Sequence, residues 1–339
     1  MTRRPTIADV AAAAGVSMAT VSKAVNGRYG VNGATARRVL DVVEQLGYES
    51  SIVARGMRGQ RTGVIGVLVA EFEPFSAEVL KGIGTALPHR YDLLAYSGAR
   101  DHGRDGWERR SLSRLGGSLL DGAILVTPTV VDVAATIPVV AVDPHTGPAD
   151  LPTVESDSHG GAVLATEHLI GLGHRRIAFV AGRPDLRSSI LREAGYRQAL
   201  KTARIRFDPG LVRSGGYDPE RSRESAVALL RQHDRPTAVF AANDVSAMAI
   251  VEVAAHCGLG VPRDLSVVGF DDIPESASAT PPLTTVHQPM QRLGSAAADM
   301  LVALLGQGGA APAHLRLPTR LVRRGTTAPP PSPDPTSGT

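Results

Sequence analysis

The sequence predicts a small all-α head, a helix-turn-helix with a supporting third helix, ahead of a larger α/β body of two lobes with parallel sheets. Three observations carry that expectation. The stretch TIADVAAAAGVSMATVSKAVNG, residues 6–27, holds two short helical patterns with one glycine between them. From residue 62 onward, short apolar runs alternate with helical patterns, the rhythm of parallel strands joined by helical crossovers. That rhythm occurs twice, and 339 residues are too many for one simple core.

Within the head, Thr6 is placed to cap a helix, with Asp9 three residues later. Ile7, Val10, Ala11 and Ala14 then share one face, and Gly15 can take the positive φ of a sharp stop. Ser17 is placed to cap a second helix over 18–25, with Val21 and Val25 inward, and Asn26-Gly27 ends it. Asn32 caps a third helix over 33–46, with Ala36, Val39, Leu40, Val43 and Leu46 as its apolar stripe. Ala11, Gly15 and Val21 have the spacing of a helix-turn-helix: small at the crossing, glycine at the turn, apolar in the second helix. The face left outside carries Ser17, Met18, Ala19, Thr20, Ser22 and Lys23, groups suited to base edges and phosphates in a major groove.

Charge agrees with that assignment. The chain's net +3 divides into nine basic against four acidic residues over 1–61, and 27 against 29 over the remainder. A compact basic head points to a polyanionic partner. The linker SIVARGMRGQRTG, 51–63, carries Arg55, Arg58 and Arg61 and no acid. Ser51 can cap a short helix over 52–58, but Gly56 and Gly59 oppose it, so it needs DNA and a partner chain to form.

Composition excludes other classes. No 18-residue apolar run suits a membrane span, and the MTRRPT start has no signal-peptide character. The single cysteine, Cys257, cannot make an internal disulfide; it fits a cytoplasmic setting and is expected in the core of a helix. No Walker or GxSxG pattern occurs, the histidines lack metal-ligand spacing, and neither cofactor nor metal is expected. The neighbours Asp271 and Asp272 point to opposite faces of a strand, so they do not form an acid/base pair.

In the body, strands are expected at 63–70, 91–98, 121–128 and 138–144, with helices near 76–87 and 104–118. A second set begins at 168–182 and continues through a helix near 188–202, a strand at 210–217 and a helix near 219–233. It closes with a strand at 237–244, a helix near 245–257 and a strand at 265–272. Residues 284–306 read as a strand and helix returning to the first lobe, and 315–327 as the last strands. The expected domains are a head over 1–50, a hinge over 51–61 and a body over 62–325. Within the body, lobe 1 covers 62–157 and 288–318 and lobe 2 covers 158–287; a proline-rich tail over 326–339 is expected to be disordered.

Ligands of such folds lie at the carboxyl ends of the strands. Asp143, Asn243, Asp244, Asp271 and Asp272 collect there, and Arg192 begins REAGYRQAL on a helix in the second lobe. Each alone is an ordinary turn former. Together they suit a polyol, with carboxylates and amides for hydroxyls and a planar guanidinium fork.

Residues 6–27, continued by VLDVVEQLGYESSIVARGMRGQRTGVIGVLV at 39–69, resemble the LacI/GalR family of bacterial transcription regulators. The resemblance runs to about residue 325. It implies a periplasmic-binding-protein-like two-lobed domain, a homodimer on a near-palindromic DNA operator, and a small-molecule effector, most often a sugar. It places Met18, Ala19 and Lys23 where bases are read, and Thr20, Ser22, Asn26 and Tyr48 on the DNA backbone, with Thr6 and Ser17 on the same interface. In the hinge, Met57 holds the place of a minor-groove wedge, usually leucine, beside Arg55. The effector positions implied are Phe75, Asp143, Arg192, Tyr217, Asn243, Asp271 and Gln288. Ser76 stands where a second aromatic is common and Ser158 where asparagine is usual. Two other readings compete: a solute-binding protein, against which the basic head argues, and a sugar-converting enzyme, for which no catalytic constellation is present.

Overall fold

The computed structural model describes residues 5–25, 29–48, 61–98, 106–130, 135–145, 151–306 and 314–331. The expectations on Asn26, Arg55, Met57 and the tail beyond 331 lie outside them. The chain divides into two compact units, one of Met1–Thr62 grouped with Gly117–Leu119 and one of Gly63–Gly116 and Leu120–Thr339; the first holds the head and the second the body.

The head comprises α1 (Ile7–Ala14), α2 (Met18–Val25) and α3 (Gly33–Leu46). Asp9 accepts from both the backbone N–H and the hydroxyl of Thr6, at 2.7 Å each, which fixes the first turn of α1. Gly15 ends α1 at φ 64°, where a side chain would be strained. Ser17 Oγ accepts from Thr20 N at 3.1 Å, and Asn32 accepts from Ala34 N at 2.9 Å. Val10, Ala11, Ala14, Val21, Ala24 and Val39 form the core. The stripe expected on α3 is narrower than its sequence suggests: Val39 is buried, while Leu40 is 46% exposed and Leu46 is also exposed. Leu40 stands about 100° around the helix from Val39, and two eight-residue helices cannot cover both sides.

The body has two six-stranded sheets. The first joins β1 (Val64–Val69), β2 (Asp92–Ser97), β3 (Gly122–Val126), β4 (Val139–Val142), β5 (Thr153–Ser156) and β11 (His314–Leu317) in the order β11-β5-β4-β3-β1-β2, all parallel. The second joins β6 (Ile177–Ala181), β7 (Val212–Ser214), β8 (Ala238–Ala241), β9 (Ser266–Asp271), β10 (Thr284–His287) and β12 (Arg320–Val322) in the order β12-β10-β9-β8-β6-β7. It is parallel except for the β10–β12 edge. The helices are α4 (Pro74–Ala86), α5 (Trp107–Leu115), α6 (Ser158–Gly171), α7 (Arg187–Thr202), α8 (Pro219–Leu230), α9 (Asp244–His256), α10 (Pro274–Ser278) and α11 (Met290–Leu305). β1, β3, β4, β6, β8 and β9 are buried throughout, which explains their nearly unbroken apolar sequences.

The chain crosses between lobes after β5, after β10 and after β11. Three expectations change here. The strand at 284–287 belongs to the second sheet; only the helix after it returns to lobe 1, and β12 also adds residues 320–322 to lobe 2. β5 and α6, absent from the sequence rhythm, lie between the two sets. The start of the tail is not disordered: Thr326 exchanges backbone and hydroxyl hydrogen bonds with Val267, and Ala328 O accepts from Ser266 Oγ at 2.9 Å. Its prolines fit because an extended segment needs few backbone donors. Cys257, expected inside, is exposed, since it is the C-cap of α9 and lies past the last buried turn. None of the described helices is long and apolar enough to cross a membrane.

Candidate functional site

On the head, Met18 is 55% exposed, and Ala19 and Lys23 are exposed. Thr20 and Ser22 are half-buried on the same helix. Ser17 and Thr20 share a hydroxyl hydrogen bond of 2.9 Å, and the Thr6 hydroxyl is committed to Asp9. Tyr48 packs at the edge of the head core. One apolar, one small and one cationic side chain are thus exposed on α2.

In the body, a cavity of about 470 Å³ lies at the carboxyl ends of the strands, between the lobes. This is within the roughly 300–1,000 Å³ of small-molecule sites. All seven expected positions line it: Phe75, Asp143, Arg192, Tyr217, Asn243, Asp271 and Gln288. Asp143 follows β4 and Asp271 ends β9, at φ 45° and φ 114°. Thr127 after β3, Tyr217 after β7 and Asp272 also have positive φ, so non-glycine residues in the left-handed region gather at the strand ends. Backbone strain of this kind concentrates at functional sites.

Arg192 is the centre of the arrangement. It is 4% exposed, its Nη1 donates to Ala242 O, and it lies 3.6 Å from Asp271 Oδ1. Its guanidinium carbon stands 3.8 Å from the centre of the Phe270 ring and 5.7 Å from that of Tyr217. Its Nε is buried without a partner. Gln288 links the carboxylates: its Nε2 donates to Asp271 Oδ1 at 2.6 Å and its Oε1 accepts from Ser156 Oγ. Ser156 N donates to Asp143 Oδ1 at 3.0 Å. Tyr217 meets Ser188 Oγ at 3.0 Å, and its ring lies where a Cβ on Gly182 would clash at 2.2 Å. Asn243 also caps α9, accepting from Ser246 N at 3.0 Å.

Burial pushes the Asp143 carboxyl up to about 6, with the Ser156 backbone and Arg192 opposing. Burial also raises Asp271 well above the carboxylate range against the pull of Arg192. Asp244 is raised by burial and by the charge of Asp271; it serves structure, accepting from Ile273 N at 3.0 Å. Asp271 and Asp272 do face apart, Asp272 pairing with Arg324 at 2.6 Å and His287 at 2.9 Å.

Sequence reasoning missed Glu73, Thr127, His145, Arg183 and Ser188 on the wall. Extending the strand-end rule by two residues past Asp143 reaches His145, and Glu73 before Pro74 is a helix-cap signal. Ser76 completes that cap, its Oγ accepting from Glu73 N at 3.0 Å, which accounts for serine in place of an aromatic. Burial, with the positive charge of Arg183, lowers His145 to about 4. Its Nδ1 is buried without a partner.

Known proteins agree with this two-part architecture. Residues 6–51 match the model of bacterial regulatory proteins of the lacI family, and residues 166–327 match the periplasmic binding protein-like domain. The HTH-type transcriptional regulator CelR of Thermobifida fusca is 35% identical over 337 residues, covering 95% of this chain and 98% of its own. The solved transcriptional regulator CelR–cellobiose complex aligns with a TM-score of 0.71 at 33% identity, over 95% of this chain and 100% of that one. The lac repressor dimer, bound to operator and the anti-inducer ONPF, aligns with a TM-score of 0.79 at 28% identity, over 96% of this chain and 100% of that one. With a relative this similar across nearly its whole length, the chain belongs to the lacI family of bacterial regulatory proteins.

Proposed function

We propose that the chain is a homodimeric transcriptional repressor of the cytoplasm. Each head reads half of a near-palindromic operator, and a sugar or sugar derivative in the cleft alters that reading. The carrying observation is the cavity around Arg192, where two guanidiniums, several carboxylates, two amides and two aromatic rings converge. Hydroxyls can donate to Asp143 and Asp271 and accept from Arg192 Nε, while Phe75 and Tyr217 offer flat apolar surface to a sugar ring. The cellobiose held by CelR supports the sugar class.

Two heads are required because a single recognition helix makes few base contacts, and two-fold protein symmetry suits two-fold DNA. Thr6, Ser17, Thr20, Ser22, Asn26 and Tyr48 hold the DNA backbone in this reading, and Met18, Ala19 and Lys23 meet the bases. Arg55 and Met57 act at the minor groove. Effector and operator are then coupled reciprocally, typically by about 1–3 kcal/mol. The chain works by binding, without a catalytic step.

The test combines selection of an operator from random duplexes with a gel shift in the presence of sugars. Arg192→Ala or Asp271→Ala is expected to abolish the sugar response while operator affinity stays nearly unchanged. A variant that responds at wild-type sugar concentrations removes the cleft from the mechanism. Failure to select any preferred duplex removes the operator.

A further inference from the structure

We infer that the cleft takes a hydroxylated ligand carrying no negative charge and excludes phosphorylated and carboxylated ones. This rests on the effector reading above and narrows its ligand class. Five carboxylates line the wall, those of Glu71, Glu73, Asp143, Asp218 and Asp271. Among the described residues, two guanidiniums, Arg183 and Arg192, and no lysine stand beside them.

The charge of each guanidinium already faces a carboxylate within the protein. Arg183 Nη2 meets Asp185 Oδ2 at 2.5 Å. Arg192 has Asp271 at 3.6 Å, the Ala242 carbonyl and the Phe270 ring. An anion arriving at Arg192 would compete with a carboxylate that is already desolvated and fixed.

Helix starts are the other natural seats for phosphate, through their free N–H groups and the helix dipole. Four helices begin at this wall. Three of the seats are filled by a side chain that lines the cavity, and at the fourth, the start of α7, Leu186 supplies no side-chain cap while the Arg187 N–H is taken by the His145 carbonyl at 3.0 Å. Glu73 accepts from Phe75 N and Ser76 N at 2.9 Å each, at the start of α4. Asp218 accepts from Arg221 N at 2.9 Å on α8, and Asn243 accepts from Ser246 N on α9. Pro74 and Pro219 open α4 and α8 and remove one further N–H from each.

What remains unmatched suits neutral groups. Arg192 Nε and His145 Nδ1 are buried without partners. A hydroxyl can satisfy either, since it both donates and accepts. The raised carboxyls agree: Glu73 and Asp143 both push Asp271 upward, so further negative charge there is disfavoured.

The test measures thermal stabilisation of the full chain by paired probes at matched ionic strength. Glucose, ribose and cellobiose are set against glucose 6-phosphate, ribose 5-phosphate, gluconate and inorganic phosphate. The expected result is no saturable stabilisation by any anion, with each neutral sugar that binds doing so at least tenfold more tightly than its phosphate or acid. Saturable stabilisation by one of the anions that disappears in Arg192→Gln overturns the inference. Silence from every neutral sugar and every anion counts against the sugar reading alone and leaves the exclusion of anions standing.

Discussion

Arg187, the first residue of α7 in lobe 2, places its Nη1 3.7 Å from Oε2 of Glu155, on β5 of lobe 1. The same Nη1 is buried with no hydrogen-bond partner. The Arg187 backbone N–H also crosses between lobes, donating to the His145 carbonyl at 3.0 Å. Glu155 is otherwise held within lobe 1, with Arg316 Nη2 at 2.6 Å and His314 Nε2 at 3.2 Å from its Oε1. This tie shares α7 with Arg192, so whatever draws the lobes together on a ligand loads it.

Arg187→Ala should therefore leave the fold intact, because Arg316 still neutralises Glu155. It removes a contact that joins the two lobes. The expected outcome is a weaker sugar response at nearly unchanged operator affinity in the absence of sugar. Networks of this kind modulate coupling by about 0.5–2 kcal/mol, so the midpoint should rise between about twofold and thirtyfold. A gel-shift titration with sugar checks it, and an unmoved midpoint removes the tie from the coupling.

A second prediction concerns the helices that support the lobe 1 side of the cleft. α4 and α11 cross so closely that a Cβ on Gly82 would lie 1.9 Å from the Gln291 carbonyl oxygen, and one on Gly294 would lie 2.1 Å from the Val79 carbonyl oxygen. Backbone meets backbone, so no side-chain rotation relieves the clash. Gly82→Ala should cost at least the roughly 1–3 kcal/mol typical of overpacking, despite alanine's better helix propensity. Urea unfolding checks this; a variant as stable as wild type would show that the helices can part at no cost.

The sequence made the strand-end cluster legible because one rule applies at each position. A parallel strand buried on both faces ends in a turn, and turns use polar residues, so Asp143, Asn243 and Asp271 stand out. Their convergence on Arg192 was legible only from the doubled rhythm and the family resemblance. Ser156 was not legible, since its role arises from being 132 residues from Gln288 in sequence and within hydrogen-bond reach in space. Composition misled at the tail, where docking depends on His174 and Ser266 offering partners to Ala328 rather than on the tail's own hydropathy. Periodicity misled at Leu40, because it identifies an apolar face without saying how much partner surface exists to cover it.

The head yields a third prediction. Lys23 lies in the last turn of α2, exposed, and its Nζ would be 3.8 Å from a Cβ on Gly30. An ammonium at that place can donate to guanine O6 and N7. Lys23→Ala should weaken operator binding by about 1–3 kcal/mol and relax preference at one base pair in each half-site. Selection of operators by the variant checks it. An unchanged sequence preference with reduced affinity would reassign Lys23 to the phosphates.

The last prediction separates two half-buried groups of the cavity wall that respond oppositely to acid. His145 is held to about 4 in the folded chain, by burial and by Arg183, against about 6.5 when unfolded. Its contribution to stability is full above the unfolded value and is lost as pH falls toward the folded one. Between pH 7.5 and pH 5 the unfolded chain takes up a proton that the folded chain refuses, which costs about 2 kcal/mol. Asp143, raised to about 6, works the other way, because its folded form keeps a proton that the unfolded form has already released. The wild-type curve therefore mixes both slopes, and the difference between variant and wild type isolates one. His145→Gln removes the histidine contribution alone, so its melting temperature relative to wild type should rise by several degrees on going from pH 7.5 to pH 5. Parallel curves across that range would mean that His145 accepts a proton in the folded state and that the cavity wall around it is wet.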